Sequence, residues 1–455
     1  MRKKFVSCLL AVSVMGTMLL TGCASNETGS APDETKAEEQ PESQEAEQSE
    51  EQVEQQEDSG FTYEGEDVTL NFMFITGGEN EFYNETLPEM VNEQFPGITI
   101  EVEELPSDNF KSTVQMKFAS GEGPDIFEWW PNKQAEPLVE AGYCLELSDL
   151  KCIGDFREDM TGAFSFDGKN YAVPLGSSFL TTWYNKSLFE EAGITEVPMN
   201  WEEFLACCDA LKEKGITPIV MGDKDAYVIQ FGTYMMGASC IYNDNPDFDS
   251  QLYTGETKFT DDGWRETVEK YQYLYDNGYV MEDTLGLSHD QARQAFIDGR
   301  AAMTFDGSFG WEALMANGAA EFERGIFMLP SNENGEELVY NLTPAEGIFA
   351  GANEGREEAI KAVLNYWFTE GTPLFEAWAA SNDNIPVHKS LSDEREMIQE
   401  YMQRYDGLST IYNLNNAWPS GVSDELTSKF QEVIAGDANA EDVINAMQLK
   451  FEQVK

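Results

Sequence analysis

The sequence is poor in the groups that most catalytic and metal sites need. Its 455 residues hold two histidines, His289 and His388, so a cage of histidine ligands has no material and a Ser-His-acid triad has few candidates. Neither "GSSF" nor "DGSFG" spells the G-x-S-x-G elbow, and no glycine-rich loop ends in Gly-Lys-Ser or Gly-Lys-Thr. Positive charge is scarce as well: 28 Lys and Arg stand against 84 Asp and Glu, a formal charge of -56. Nucleic acid and anionic lipid headgroups both need a basic patch, so neither is an expected partner of the body, and anionic ligands are disfavoured. No metal and no cofactor is implied. Carboxylates are so abundant that counting them neither supports nor removes a glycosidase pair.

Cysteine offers no framework either. Of seven, Cys8 and Cys23 belong to the amino-terminal segment, which leaves Cys144, Cys152, Cys207, Cys208 and Cys240, an odd number in a large chain. Cys144 and Cys152 either pair across a short loop or stay free. Adjacent Cys207 and Cys208 lie on a helical pattern and read as small buried hydrophobes.

One long apolar run is present, Phe5 to Leu20, behind Arg2, Lys3 and Lys4. It is too short and wrongly flanked for a transmembrane helix and suits a secretory signal. Its end, Leu20-Thr21-Gly22-Cys23, resembles the bacterial lipobox, at which the cysteine is diacylated and the signal cut. Residues 1–22 then read as a lipoprotein signal and Cys23 as the lipidated residue that tethers the chain to the extracytoplasmic face of the cell membrane. An ordinary signal peptide with a chance cysteine is the blander alternative. After Cys23, Glu, Gln, Ser and Ala dominate to about Ser59, and such a composition cannot offset ordering entropy. Residues 23–62 are expected to be a disordered acidic linker.

Roughly 390 residues remain, enough for two domains with substantial cores. Val68, Leu70, Phe72 and Phe74 alternate as in a strand, and a helical pattern follows from about Glu81 to Gln94. "ITIEV" from Ile98 is a second strand; Phe110, Val114 and Phe118 mark the next helix; "PDIFEWW" from Pro124 is a third strand, with a short helix near Ala135 to Ala141. This alternation predicts an α/β fold with a parallel sheet covered on both faces. Later, "NWEEFLACCDALKEKG" carries Asn200 as N-cap with Glu203 three residues on, and an apolar face of Trp201, Phe204, Leu205, Cys208 and Leu211. Further helices are expected over about Asp262 to Asn277, His289 to Asp298, Arg356 to Phe368, Ser392 to Tyr405, Asp424 to Ala435 and Ala440 to Glu452. His289 opens a helix and His388 sits in a loop, so both read as structural. The cluster "NDNPDFDS", Asn243 to Ser250, offers oxygen ligands but lacks the glycine and terminal Glu of an EF-hand loop, so it reads as a solvated turn before a calcium site.

Aromatic residues, 12% of the chain, are the informative class. Trp129 and Trp130 end a strand whose carboxyl edge is where open parallel sheets meet ligands. Phe309 and Trp311 follow the strand-like "AAMTFDG" in the same manner, and Trp418 precedes Pro419 in a polar loop. Such rings stack on the apolar faces of pyranoses while nearby carboxylates and amides bind hydroxyls. The competing reading of any one ring is core.

"ASGEGPDIFEWW", "DGKNYAVPLGSSFLTTWYNKSLFEEAGI", "NWEEFLACCDALKEKGITPI", "AFIDGRAAMTFDGSF" and "FMLPSNENG" occur in the order found in the carbohydrate-binding extracellular solute-binding proteins, the maltodextrin-type receptors of ABC importers, which the chain resembles from about Val68 to its end. The resemblance implies a two-lobed periplasmic-binding-protein-like fold, each lobe a sheet flanked by helices, with a hinge between. Lobe 1 is placed at 63–175 plus 346–395 and lobe 2 at 176–345 plus 396–455. It further implies a monomeric, non-catalytic receptor that captures a carbohydrate in the cleft and delivers it to the transmembrane subunits of a permease. Several rings favour an oligosaccharide over one pyranose. Carried over residue by residue, the ligand-binding candidates are Trp129, Trp130, Ser178 after "VPLG", Asp306, Glu79, Asn80, Glu346 and, more loosely, Trp418. Gly307-Ser308-Phe309 stands where the family often has Gly-Ser-Trp or Gly-Pro-Trp, which leaves Phe309 and Trp311 as alternative stacking platforms. The rival readings are a receptor for a peptide or cationic ligand and a surface glycoside hydrolase.

Overall fold

The computed structural model describes residues 60–76, 81–333, 340–408, 410–411 and 414–455. The signal, Cys23, all but the last residues of the linker, and the candidates Glu79 and Asn80 lie outside the described residues.

Among the described residues the strands are, in chain order, β1 (Val68–Ile75), β2 (Ile98–Leu105), β3 (Ile126–Trp129), β4 (Ser165–Phe166), β5 (Lys169–Asn170), β6 (Ala172–Pro174), β7 (Ser177–Asn185), β8 (Met303–Gly307), β9 (Arg324–Phe327), β10 (Tyr340–Pro344), β11 (Gly347–Ala350) and β12 (Thr410–Ile411). They form two main sheets. The first runs β2-β1-β3-β11-β6 and the second β12-β10-β7-β8, with β9 also on β7; β4 and β5 make a small hairpin. The parallel pattern expected from the early alternation holds for β1 with β2 and β3. By contrast, β11 is antiparallel to both β3 and β6, and β7 is antiparallel to β8, β9 and β10. β11 enters the first sheet directly from β10 of the second, through residues 345–346, so its direction is set by that crossing and not by a strand–helix–strand connection.

Each sheet is buried on both faces. Leu70, Phe72 and Phe74 of β1 point into one core with Trp367 and Trp378, while Met73 points into the other with Phe110, Val114 and Phe127. On the second sheet, Phe204, Tyr234, Trp264, Tyr271, Trp418 and Phe430 form the larger core, and Phe179, Trp183, Phe296 and Tyr401 pack on the opposite face. Cys144 and Cys152 fall in different cores and are both free, which corrects the pairing alternative; burial pushes each thiol up to about 12.

The capped helix forms at Trp201–Glu213: Asn200 Oδ1 accepts from the Glu203 amide at 2.9 Å and Glu203 accepts from the Met199 amide at 2.8 Å. The helix expected from Glu81 opens instead as a π-turn, Phe82–Thr86, before the α-helix Leu87–Gln94. Pro88 has no N–H to give the preceding turn, and the Leu87 amide reaches back five residues to Phe82. The helix expected from Ser392 starts at Glu396, because Asp393 is engaged by the backbone and side chain of Arg395. The helix Ile229–Gly237 has no sequence forecast, since it is apolar on nearly every side and so lacks an amphipathic period.

Candidate functional site

The chain passes between the sheets three times: from β6 to β7, from β10 to β11, and along residues 382–396. These passages lie side by side. The Ala345 amide donates to the Gly176 carbonyl at 2.9 Å and the Leu175 amide to the Glu346 carbonyl at 3.1 Å, while Ser177 and Ile385 exchange backbone bonds of 2.9 and 2.8 Å. Gly176 is required by this approach, as a Cβ there would lie 2.3 Å from Asn384 Cβ.

Beside the crossings, the carboxyl ends of β2 and β3 deliver side chains to one place. Lys111 is in the second turn of the helix Ser107–Ser120 after β2, and Trp130 directly follows β3. Glu346 precedes β11, whose first residue, Gly347, is in register with Trp129 at the same edge. All three side chains are half-buried. The Lys111 ammonium stands 4.3 Å from the Trp130 ring centroid and donates to Gln134 Oε1 at 3.0 Å. Trp130 in turn donates to the Glu346 carboxylate. Burial pushes the Glu346 carboxyl above its ordinary value against the pull of Lys111, and burial pushes Lys111 down against the pull of Asp424 and Glu346.

The facing wall belongs to the second sheet. Gln134 Nε2 donates across to the Trp418 carbonyl at 3.2 Å, and the Lys133 ammonium lies 5.4 Å from the Tyr253 ring centroid. Asn416 Nδ2 donates to Thr343 Oγ1 at 3.2 Å, and Asn416 Oδ1, though buried, has no partner among the described residues. An indole, a carboxylate, an ammonium and amides thus converge between two walls. That set is chemically matched to a molecule with hydroxyls and an apolar face.

The remaining candidates are not brought to this place as sequence suggested. Trp129 is 1% exposed, packs on Phe110 and Phe127, and donates to the Gln134 carbonyl at 2.8 Å, so its ring supports the site from the core. Trp418 is 0% exposed, and only its carbonyl faces the opposite half. Ser178 is buried in β7 opposite Thr343. Both Asp306 oxygens are occupied, by His289 Nε2 at 2.8 Å, Arg293 at 2.7 and 3.0 Å, and the Gly307 amide at 2.7 Å. Arg293 and His289 hold its carboxyl well below the usual range despite burial, so Asp306 is a structural anchor. Phe309 is half-buried against Phe231, whereas Trp311 lies under the Arg395 guanidinium, 5.4 Å from its ring centroid. Lys111, Gln134, Tyr253 and Asn416 were missed. The available signal was a lysine after a buried phenylalanine, one turn beyond a strand, in a chain with few bases.

Among the described residues no helix is long and apolar enough to cross a membrane. Residues 83–372 match the family model of the bacterial extracellular solute-binding protein. The chain is 22% identical over 305 residues to the multiple sugar-binding protein of Streptococcus mutans, covering 64% of this chain and 71% of that protein. Among solved structures it is similar to a chitin oligosaccharide binding protein (TM-score 0.77, 24% identity, 86% of this chain and 99% of that one). It is also similar to the solute-binding protein RafE in complex with raffinose (TM-score 0.71, 20% identity, 85% and 99%). These likenesses show the two-lobed fold of sheets flanked by helices.

Proposed function

The chain belongs to the bacterial extracellular solute-binding protein family, and from that premise we propose that it is a non-catalytic receptor that captures an oligosaccharide between its lobes and hands it to an ABC permease. The observation that carries this reading is the convergence of Trp130, Glu346 and Lys111 opposite the Trp418 carbonyl and Asn416, beside three hydrogen-bonded crossings. The indole supplies stacking surface and the polar groups supply hydroxyl partners. The sugars in the names of its relatives support the ligand class. Lobe 1 comprises 63–175 plus 346–395 and lobe 2 comprises 176–345 plus 396–455, a division supported by the way each sheet and its cores draw on one set of segments. Closure is a hinge motion about the crossings, stabilised by a ligand that touches both walls. The signal, Cys23 and the acidic linker would tether the receptor beside its permease as a monomer.

Lys111 counts against a cationic ligand, since an ammonium already sits with Glu346 and Asp424 there. A thermal-shift screen against mono- and oligosaccharides, peptides and polyamines tests the reading. One oligosaccharide series raises the melting temperature, and prolonged incubation with it releases no product. A shift with polyamine or peptide alone, or glycan cleavage, would overturn it.

A further inference from the structure

The acidic segment Asn243–Ser250 reads from sequence as a solvated turn, yet one of its carboxylates turns inward. Asp249 Oδ1, on the helix Phe248–Thr254, accepts from the Tyr242 hydroxyl at 2.7 Å and from the Trp418 indole at 2.9 Å. The Trp418 ring is further enclosed by Phe259, Trp264 and Tyr234, at centroid distances of 5.0, 5.2 and 5.8 Å. Trp418 is thus fixed by its side chain while its carbonyl meets Gln134 of the opposite wall. The neighbouring residues have neutral ties: Tyr253 donates to the Ala417 carbonyl at 2.8 Å and Asn416 donates to Thr343 Oγ1 at 3.2 Å.

We propose that Asp249 is a positioning residue for the ligand site: by anchoring the Trp418 indole it sets where the Trp418 carbonyl and the Asn416 amide stand, and thereby sets ligand affinity. The second clause rests on the carbohydrate reading above; the first does not. Removing the carboxylate leaves a buried indole N–H without an acceptor, and the segment that carries both cleft groups loses its fixed point.

The groups facing Asp249 are the Tyr242, Tyr253 and Tyr234 hydroxyls, with Asp424 acting on Tyr234, and with Glu136 and the Lys133 ammonium beside Tyr253. Burial raises all three phenols, and burial pushes the Asp249 carboxyl up to about 6 while its two donors hold it back. A carboxylate is the stronger acceptor, whereas the fold favours the neutral acid. Between pH 7 and pH 5 protonation of Asp249 therefore adds stability and loosens the anchor. Affinity and stability move in opposite directions, which a purely structural carboxylate would not produce.

The test compares the full-length wild type, D249N and D249A. Amide hydrogen exchange of 414–422 is read without sugar, and calorimetric titrations with chito-oligosaccharides, raffinose and stachyose are run at pH 7 and pH 5. D249A exchanges faster in 414–422 with β1 unchanged, and its sugar affinity falls about tenfold. Asn keeps an acceptor oxygen but, like the protonated acid, carries no charge, so D249N already binds at pH 7 about threefold more weakly than wild type and shows no further loss at pH 5. E346Q separates the contribution of the raised carboxyl at the site itself. Unchanged exchange in D249A, or the same acid-side loss in D249N, would overturn the proposal. If no sugar binds the wild type, the carbohydrate reading fails and the exchange data alone decide whether Asp249 anchors the segment.

Discussion

The two walls of the cleft are built by different means. On the first, backbone topology presents the site: parallel strands end at one edge, and Lys111 and Trp130 follow β2 and β3 within a few residues. On the second, a segment without a supporting ladder is held by its side chains, with Trp418 buried and bonded to Asp249 so that backbone groups face the cleft. A wall made by strand ends tolerates side-chain change; a wall made by anchors does not.

The largest effect should separate Trp418 from Trp130. Trp418→Ala removes a fully buried ring and costs about 3–5 kcal/mol in urea unfolding, whereas Trp130→Ala costs less than about 1 kcal/mol and weakens sugar binding about tenfold or more. Equal destabilisation by the two would erase the contrast. Arg293→Ala takes the permanent positive charge from the buried Asp306 and leaves it His289 and the Gly307 amide alone, and about 3 kcal/mol of stability should go with it; Lys111→Ala, at a half-open site, should change unfolding little.

Acid should sharpen the comparison further. Burial raises Asp223, in the second half, from the ordinary 3.8 to about 6, so the fold binds a proton the unfolded chain does not, and stability lost above pH 6 is regained towards pH 4. Burial lowers His388, in the first half, below the ordinary 6.5, so its share of stability is present above that value and lost as pH falls. Hydrogen-exchange protection at pH 7 and pH 5 should thus rise around the helix Asp262–Asp276 and fall near β1, and D223N should flatten only the former. The smallest effect is none: reductant should leave the melting temperature unchanged, because Cys144 and Cys152 are unpaired.

The same contrast explains what could be read in the residues alone. β1 to β3, the capped helix Trp201–Glu213 and the position of Trp130 at a sheet edge follow from local period and end signals. The ordered motifs supplied the two-lobed fold. Trp418 was legible as an aromatic in a polar loop, but whether ring or carbonyl faces the cleft depends on Asp249 and Phe259, more than 150 residues away. The engagement of Asp306 is hidden in sequence for the same reason: its partners Arg293 and His289 lie on a helix that packs back onto β8. Lys111 and Gln134 meet only when two strand–helix units are placed side by side, a pairing that no local spacing encodes.

The most direct measurement is a calorimetric titration of wild type and Trp130→Ala with the same series of mono- and oligosaccharides. One ligand per protein is expected, with affinity rising from mono- to oligosaccharide and a loss of about tenfold or more in the variant whose unfolding is nearly unchanged. Full affinity in Trp130→Ala, or binding of no sugar at all, would contradict it.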